Sequence, residues 1–517
     1  MMKSLRMFLT APVLRILFLA CGAGLSFPLP PVSGEITMPD IFGDHMVLQQ
    51  GTKLPVWGFA APSEKVTVSF ASQTATTTAD REGNWRVDLA PVPLNGAGAA
   101  PQTMTIAGSN TITLQDVLVG DVWIASGQSN MNFGMNLLEN APAEIAKANE
   151  PQLRLFYVPI QTGLIPQKYI GAYPLGAPYA KWQVCTPQSV AQDGFDGFSA
   201  VGYYFGRALQ QAVGHPVGII GTYWGGTSAQ AWTSLKGLQS DPALAHYVTE
   251  YQKIAANQIA PPADNTGSPT SFYNGMVAPL RPYAIKGVAW YQGESNTGTV
   301  GMGEEYHTLL EVLIKDWRDK WNEGDFPFVY VQLASFGNPA QTPSEGLWPY
   351  LRESQAKTLE VPHTGMAVAI DLGNPASIHP KDKSDVGARL ALAARHVAYG
   401  EDVVYSGPTY DSMQVDGNKI TISFKNVGSG LKIAAPPWKP DGAAIATPTE
   451  LTGFGIAGAD RNWVWAQATI DGNKVIVSSD KVPAPVAVRY GWADTPPVDL
   501  YNKEGLPASP FRTDNWD

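Results

Sequence analysis

Asp121-Val-Trp-Ile-Ala-Ser-Gly-Gln-Ser-Asn-Met131 opens on an apolar run at 122–125, then passes through small and polar residues into a segment with helical character from Met131. A short apolar run bounded in this way predicts a strand buried on both faces. The junction puts the Ser129 hydroxyl at the carboxyl end of that strand, beside the unpaired amides of a helix start. In open α/β sheets ligands bind at this edge, and amides held there stabilise an oxyanion. Ser129 is the candidate nucleophile, weighed against the ordinary use of Ser and Asn as helix caps.

Outward from this stretch, strands alternate with helices over 119–400, the pattern of a doubly wound parallel sheet in an α/β domain. Strand candidates are 122–125, 153–158, 217–221, 287–291, 328–333 and 366–370. Tyr306, Leu309, Leu310, Leu313, Ile314, Trp317 and Trp321 recur at helical spacing and predict one apolar stripe laid on the sheet. An Ala- and Leu-rich helix at 386–397 closes the unit.

Both flanks read as β. Over 35–118, Lys65-Val-Thr-Val-Ser-Phe70 and Asn84-Trp-Arg-Val-Asp-Leu89 alternate apolar and polar residues, predicting a small N-terminal β module. Over 401–517, Asp-Gly-Asn stands between alternating runs at Asp416 and again at Asp471, predicting two hairpins in a C-terminal β module. Residues 1–34 carry Lys3, Arg6 and Arg15 around apolar segments and end in a small-residue site, the form of a signal peptide. Export, as a secreted or periplasmic protein of a bacterial envelope, is the expectation. Lipoprotein anchoring at Cys21 is the less favoured variant, because Phe18 stands where Leu is usual.

The 517 residues and 44% hydrophobic content indicate about two to four globular domains. A net charge of −10 without a basic run excludes nucleic acid as an expected partner. The apolar segment of the leader is too short for a comfortable membrane span. Only Cys21 and Cys185 exist, so cleavage of the leader leaves no internal disulfide. Fifteen Trp and 20 Tyr are plentiful, and their flat faces suit sugar rings. Oligomeric state is not legible.

Three further stretches follow predicted strands on the edge that carries Ser129. Trp224-Gly-Gly-Thr227 has paired glycines that let amides approach a substrate. Trp290-Tyr-Gln-Gly-Glu-Ser-Asn296 brings together Glu294, suited to orient an imidazole, and Asn296, suited to donate to an oxyanion. Asp371-Leu-Gly-Asn-Pro-Ala-Ser-Ile-His379-Pro-Lys-Asp-Lys383 places a histidine in a loop, with acidic groups on both sides. Nucleophile first and histidine last is a reasonable order for a doubly wound hydrolase. The histidines form no close metal-binding pair, and neither a P-loop nor a dinucleotide glycine pattern occurs, so no metal and no cofactor are expected. Gly127-Gln-Ser-Asn-Met131 lacks the second glycine of the Gly-x-Ser-x-Gly elbow, which argues against an ordinary α/β-hydrolase.

Taken together, Gly127-Gln-Ser-Asn130, Trp224-Gly-Gly-Thr227, Gln292-Gly-Glu-Ser-Asn296 and Ile378-His-Pro380 resemble the sialate O-acetylesterase group of the SGNH hydrolase superfamily, relatives of the acetylxylan esterases. Phe42-Gly-Asp-His-Met-Val-Leu-Gln49 also looks like that group. The resemblance implies an SGNH-type sheet, with Ser129 as nucleophile, His379 as base, and an oxyanion hole from the Ser129 and Gly226 amides and the Asn296 side chain. Gly225 is left open as the alternative donor. Many SGNH enzymes have Asp three residues before the histidine, where this chain has Ala376. Glu294 ranks first as orienting acid, Asp371 second, and a carbonyl-braced dyad third. The implied function is a serine carbohydrate esterase removing O-acetyl groups from sialic acid or from a plant polysaccharide such as xylan or xyloglucan. The alternative is a non-catalytic carbohydrate-binding or surface-assembly protein on an inactive esterase scaffold.

Overall fold

The structure, a computed structural model, describes residues 34–516 except 95–99, 172–179, 193, 195, 344–345, 438–445 and 447. The expected signal peptide, apart from Gly34, and the variant anchor Cys21 lie outside the described residues.

The α/β sheet runs in the order Thr364–Val368, Phe328–Gln332, Gly287–Tyr291, Thr111–Gly127, Val217–Tyr223, Glu150–Tyr157 and Trp182–Cys185. The first six strands are parallel and the last is antiparallel to its neighbour. The central strand is fully buried from Val117 to Gly127, as its apolar text requires. After it the chain winds first to one side and then to the other, so the topological switch point lies at its carboxyl end. Register makes that end flush, since Tyr223 and Tyr291 both sit beside Gly127.

Helices cover both faces. Trp123 meets Phe205 of helix Ala200–Val213 edge-on at 5.2 Å, and helix Lys383–Tyr399 packs beside it. Trp290, pointing the other way, meets Trp317 at 6.1 Å. Trp317 belongs to helix Val300–Trp321, whose expected stripe from Tyr306 to Trp321 is buried. Thr299 caps this helix by accepting from the Met302 amide, and left-handed Asn322 ends it.

The flanking β modules are stitched to this unit. The central strand is 17 residues long, and its first half pairs antiparallel with Gln102–Ala107 of the N-terminal module. The expected division at 118/119 therefore falls inside one continuous strand. In the C-terminal module the two Asp-Gly-Asn hairpins turn at left-handed Gly417 and Gly472 and join in one four-stranded antiparallel sheet. The buried Arg352 guanidinium binds this module to the α/β unit, donating to the carbonyls of Leu333 and Ala334 on one side and Ala493 and Asp494 on the other. Cys185 is a buried free thiol whose pKa burial pushes up to about 12. Among the described residues no helix is long and apolar enough to cross a membrane.

Candidate active site

The flush strand ends determine the site. Gly127 has φ +139°, and a Cβ there would lie 2.1 Å from the Tyr291 carbonyl oxygen, so only glycine lets the strands stay paired through the turn. Gln128 follows, its amide donating to Tyr291 O at 3.0 Å. Its side-chain oxygen accepts from Gln292 Nε2 at 3.2 Å and from the Ser295 amide at 3.1 Å, which clamps the Gln292–Asn296 turn to the serine turn.

Ser129 opens a single helical turn, Ser129–Asn132, two residues earlier than the text predicted. Gln128 occupies the cap position, with no side-chain cap bond, so Ser129 stands inside the turn and is not its capping residue. From the neighbouring strand end, the Trp224 amide donates to Gly127 O at 3.1 Å and brings the glycine pair alongside. A Cβ on Gly225 would sit 3.4 Å from the Ser129 Cβ, which makes Gly225 the glycine lying against the serine. Gly226 is the one that takes a left-handed φ of +73°.

Asn296 is buried and its amide is oriented. Its oxygen accepts from Gln292 Nε2 at 2.7 Å and from the Ala229 amide at 3.0 Å, while its nitrogen donates to Gln230 Oε1 at 3.1 Å. The second N–H of that nitrogen remains for another acceptor.

His379 lies partly buried in the loop after Thr364–Val368, with its ring 6.5 Å from Phe133. No hydrogen bond joins it to Ser129, and its Nε2 is buried without a partner among the described residues. Catalytic hydrogen bonds are commonly loose before substrate binds. Burial first, and the Lys383 charge second, hold its pKa below the usual 6.5. The two candidates are linked through their chain neighbours, because Asn130 Nδ2 donates to the Ile378 carbonyl at 2.9 Å.

The two candidate acids differ sharply. Glu294 is buried, accepts from the same Asn130 Nδ2 at 2.6 Å, and keeps Oε2 without a partner among the described residues. Burial raises its pKa. Asp371 has both oxygens engaged, by Arg389 at 2.6 and 2.8 Å and by the Tyr501 hydroxyl at 3.1 Å. It joins the C-terminal module to helix Lys383–Tyr399.

Two residues of the site carried no role in the sequence reading. Asn130 stood inside the opening motif and, as a capping residue type, attracted none. Lys383 ends the quoted histidine stretch, yet it is fully buried and donates to Asn130 Oδ1 at 2.5 Å. Its one sequence signal is position, a lysine at the first turn of a helix, where the dipole disfavours a cation.

Comparison with known proteins identifies the family. Residues 119–396 match the family model described as carbohydrate esterase, sialic acid-specific acetylesterase. The sialate O-acetylesterase of Pongo abelii is 30% identical over 505 residues, 90% of this chain and 90% of that protein. The human sialate O-acetylesterase is 32% identical over 404 residues, 73% of this chain and 74% of that protein. Among solved structures, a carbohydrate acetylesterase from Xanthomonas citri is 39% identical, superposes with a TM-score of 0.79, and covers 93% of this chain and 100% of that one. The ordered motifs, the sheet and these likenesses place the chain in the sialic acid-specific acetylesterase family of carbohydrate esterases.

Proposed function

We propose that this carbohydrate O-acetylesterase cleaves acetyl esters through an acetyl-enzyme on Ser129. The observation that carries the reading is the shared rim. Three strands end level, Ser129 lies against Gly225, and the Asn130–Ile378 bond brings the His379 loop to the same edge.

His379 takes the Ser129 proton as the hydroxyl attacks the acetyl carbonyl, a step that needs the neutral imidazole its environment favours. The developing oxyanion is received by the Ser129 amide, an amide of the Gly225–Gly226 pair and the free N–H of Asn296. Each such donor contributes roughly 3–4 kcal/mol. His379 then protonates the departing sugar hydroxyl, and water, deprotonated by the same ring, releases acetate. Glu294 is the favoured orienting acid, because it is buried beside the Asn130 link and has an oxygen to spare. Asp371 is the less favoured one, since its oxygens are already engaged.

The proposed substrate is an O-acetylated carbohydrate, either sialic acid, as the names of the mammalian relatives suggest, or an acetylated plant polysaccharide such as xylan or xyloglucan. Acetate release measured side by side on acetylated sialic acid and acetylated xylan separates the two. The leader at 1–34 supports export. Replacing Ser129 by Ala should abolish acetate release from a chromogenic acetyl ester; retention of most of the activity overturns the assignment.

A further inference from the structure

We propose that Lys383 is a positioning residue of this esterase site: by donating to Asn130 Oδ1 it fixes the Asn130 amide, which then holds Glu294 and the His379 loop against the Ser129 turn. The inference rests on the reading of Ser129 and His379 as nucleophile and base.

Lys383 occupies a costly place. It is fully buried, its ammonium lies 4.8 Å from the Phe133 ring and 5.5 Å from the Tyr291 ring, and it begins a helix. Burial of a cation is expensive and a helix N-terminus repels it. A methionine of similar length would fill the same space at less cost. Among the described residues the ammonium has one side-chain hydrogen-bond partner, Asn130.

That contact carries information that an apolar residue could not. An Asn amide can flip, exchanging its donor and acceptor ends, and lysine can only donate. With Lys383 in place the acceptor end of Asn130 must face it. The donor end is thereby turned to Glu294 Oε1 at 2.6 Å and to Ile378 O at 2.9 Å. Flipping the amide would set its oxygen against the Glu294 carboxylate and the Ile378 carbonyl, two acceptors. Lys383 thus reinforces, from the other end of the amide, the orientation that these two acceptors favour. The preferred one ties the residue after Ser129 to the residue before His379.

The charge contributes as well. Burial pushes the Lys383 amine down to about 7, while the Glu294 and Asp382 carboxylates oppose this. Burial raises Glu294, which Asn130 and Lys383 draw back. On His379 burial acts first and Lys383 is the charged neighbour. Removing the amine relieves its repulsion of the imidazolium, so the His379 pKa rises.

The test compares Lys383→Met, Asn130→Ala and the double variant in the full chain, using kcat, KM and the pH profile on a chromogenic acetyl ester. A misplacement near 1 Å costs about a hundredfold in rate, so kcat should fall by about 10- to 100-fold with KM nearly unchanged. The acidic limb of kcat/KM should move to higher pH in Lys383→Met, a shift that a packing role would not produce. If Lys383 acts through Asn130, the double variant should lose no more than the worse single variant. A kcat within about twofold of wild type with an unmoved limb overturns the proposal, as does a double variant whose loss is the product of the two. Should Lys383→Met fail to fold, Asn130→Ala decides alone, and unchanged kcat there overturns it. Ser129→Ala separates the two levels. Activity surviving in that variant removes the reading of Ser129 as nucleophile and the inference together, whereas activity lost there with Lys383→Met unaffected removes the inference alone.

Discussion

Replacing Asp371 by Ala distinguishes a carboxylate that orients His379 from one that holds the fold together. Its side chain is buried, and both oxygens are bound to Arg389, at 2.6 and 2.8 Å, with the Tyr501 hydroxyl at 3.1 Å. Truncation leaves the Arg389 guanidinium, itself buried, without this partner while its bond to the Val368 carbonyl survives. Breaking one side of a buried ion pair costs about 3–5 kcal/mol. At roughly 2 °C per kcal/mol for a domain of this size, Tm should fall by about 6–10 °C. Assayed well below the melting range, kcat should stay within about threefold of wild type, because no oxygen of Asp371 is free for the imidazole. Replacing the pair together, Asp371→Leu with Arg389→Met, should recover most of the lost Tm, since it leaves no charge buried alone. Thermal melts by circular dichroism and initial rates on an acetyl ester supply both numbers. An unchanged Tm with kcat reduced a hundredfold or more would refute this reasoning and return Asp371 to the role of orienting acid.

Gly127→Ala should destabilise by roughly 2–6 kcal/mol, from backbone strain at φ +139° and a methyl driven into the Tyr291 carbonyl, and should abolish activity in what folds. A variant with wild-type Tm and rate would show that the strands tolerate separation there. Glu294→Gln keeps an acceptor for Asn130 but removes the charge, and kcat should drop roughly a hundredfold or more if the carboxylate supports the imidazolium. Unchanged kcat would pass the orienting role to a backbone carbonyl. Because burial and then Lys383 hold the His379 pKa below 6.5, and catalysis needs the neutral ring, kcat/KM should fall only as pH drops through a value under 6.5. An acidic limb at or above 6.5 contradicts this.

The six parallel strands of the α/β unit were legible because each holds a short apolar run between turn residues, the text that burial on two faces demands, whereas the antiparallel edge strand Trp182–Cys185 was missed. The Asp-Gly-Asn hairpins were legible for an equally local reason, a turn that favours left-handed glycine. What escaped was set by distant partners. Nothing in the text shows that strand Thr111–Gly127 continues without a break, because its first residues alternate in burial as one-sided sheet and its later ones are buried throughout. The reading turned one strand into a boundary. Likewise, a lysine is ordinarily solvated, and only the folding of Phe133, Tyr291, Glu294 and Asn130 around Lys383 makes it part of the site. The sequence already ranked Asp371 below Glu294, but not for its ion pair with Arg389, which lies 18 positions further along the chain.

The uninterrupted central strand also bears on how such a gene can be rearranged. A fragment starting at residue 119 would begin partway along a hydrogen-bonded ribbon, stripped of the parallel neighbour at Val47–Gln49 and of the Gln49 side chain that holds Asp121 and the Val122 amide. Recombination at that point would hand the recipient a frayed sheet in place of a portable hydrolase, so the front module and the acetyl-cleaving unit should be inherited as one piece.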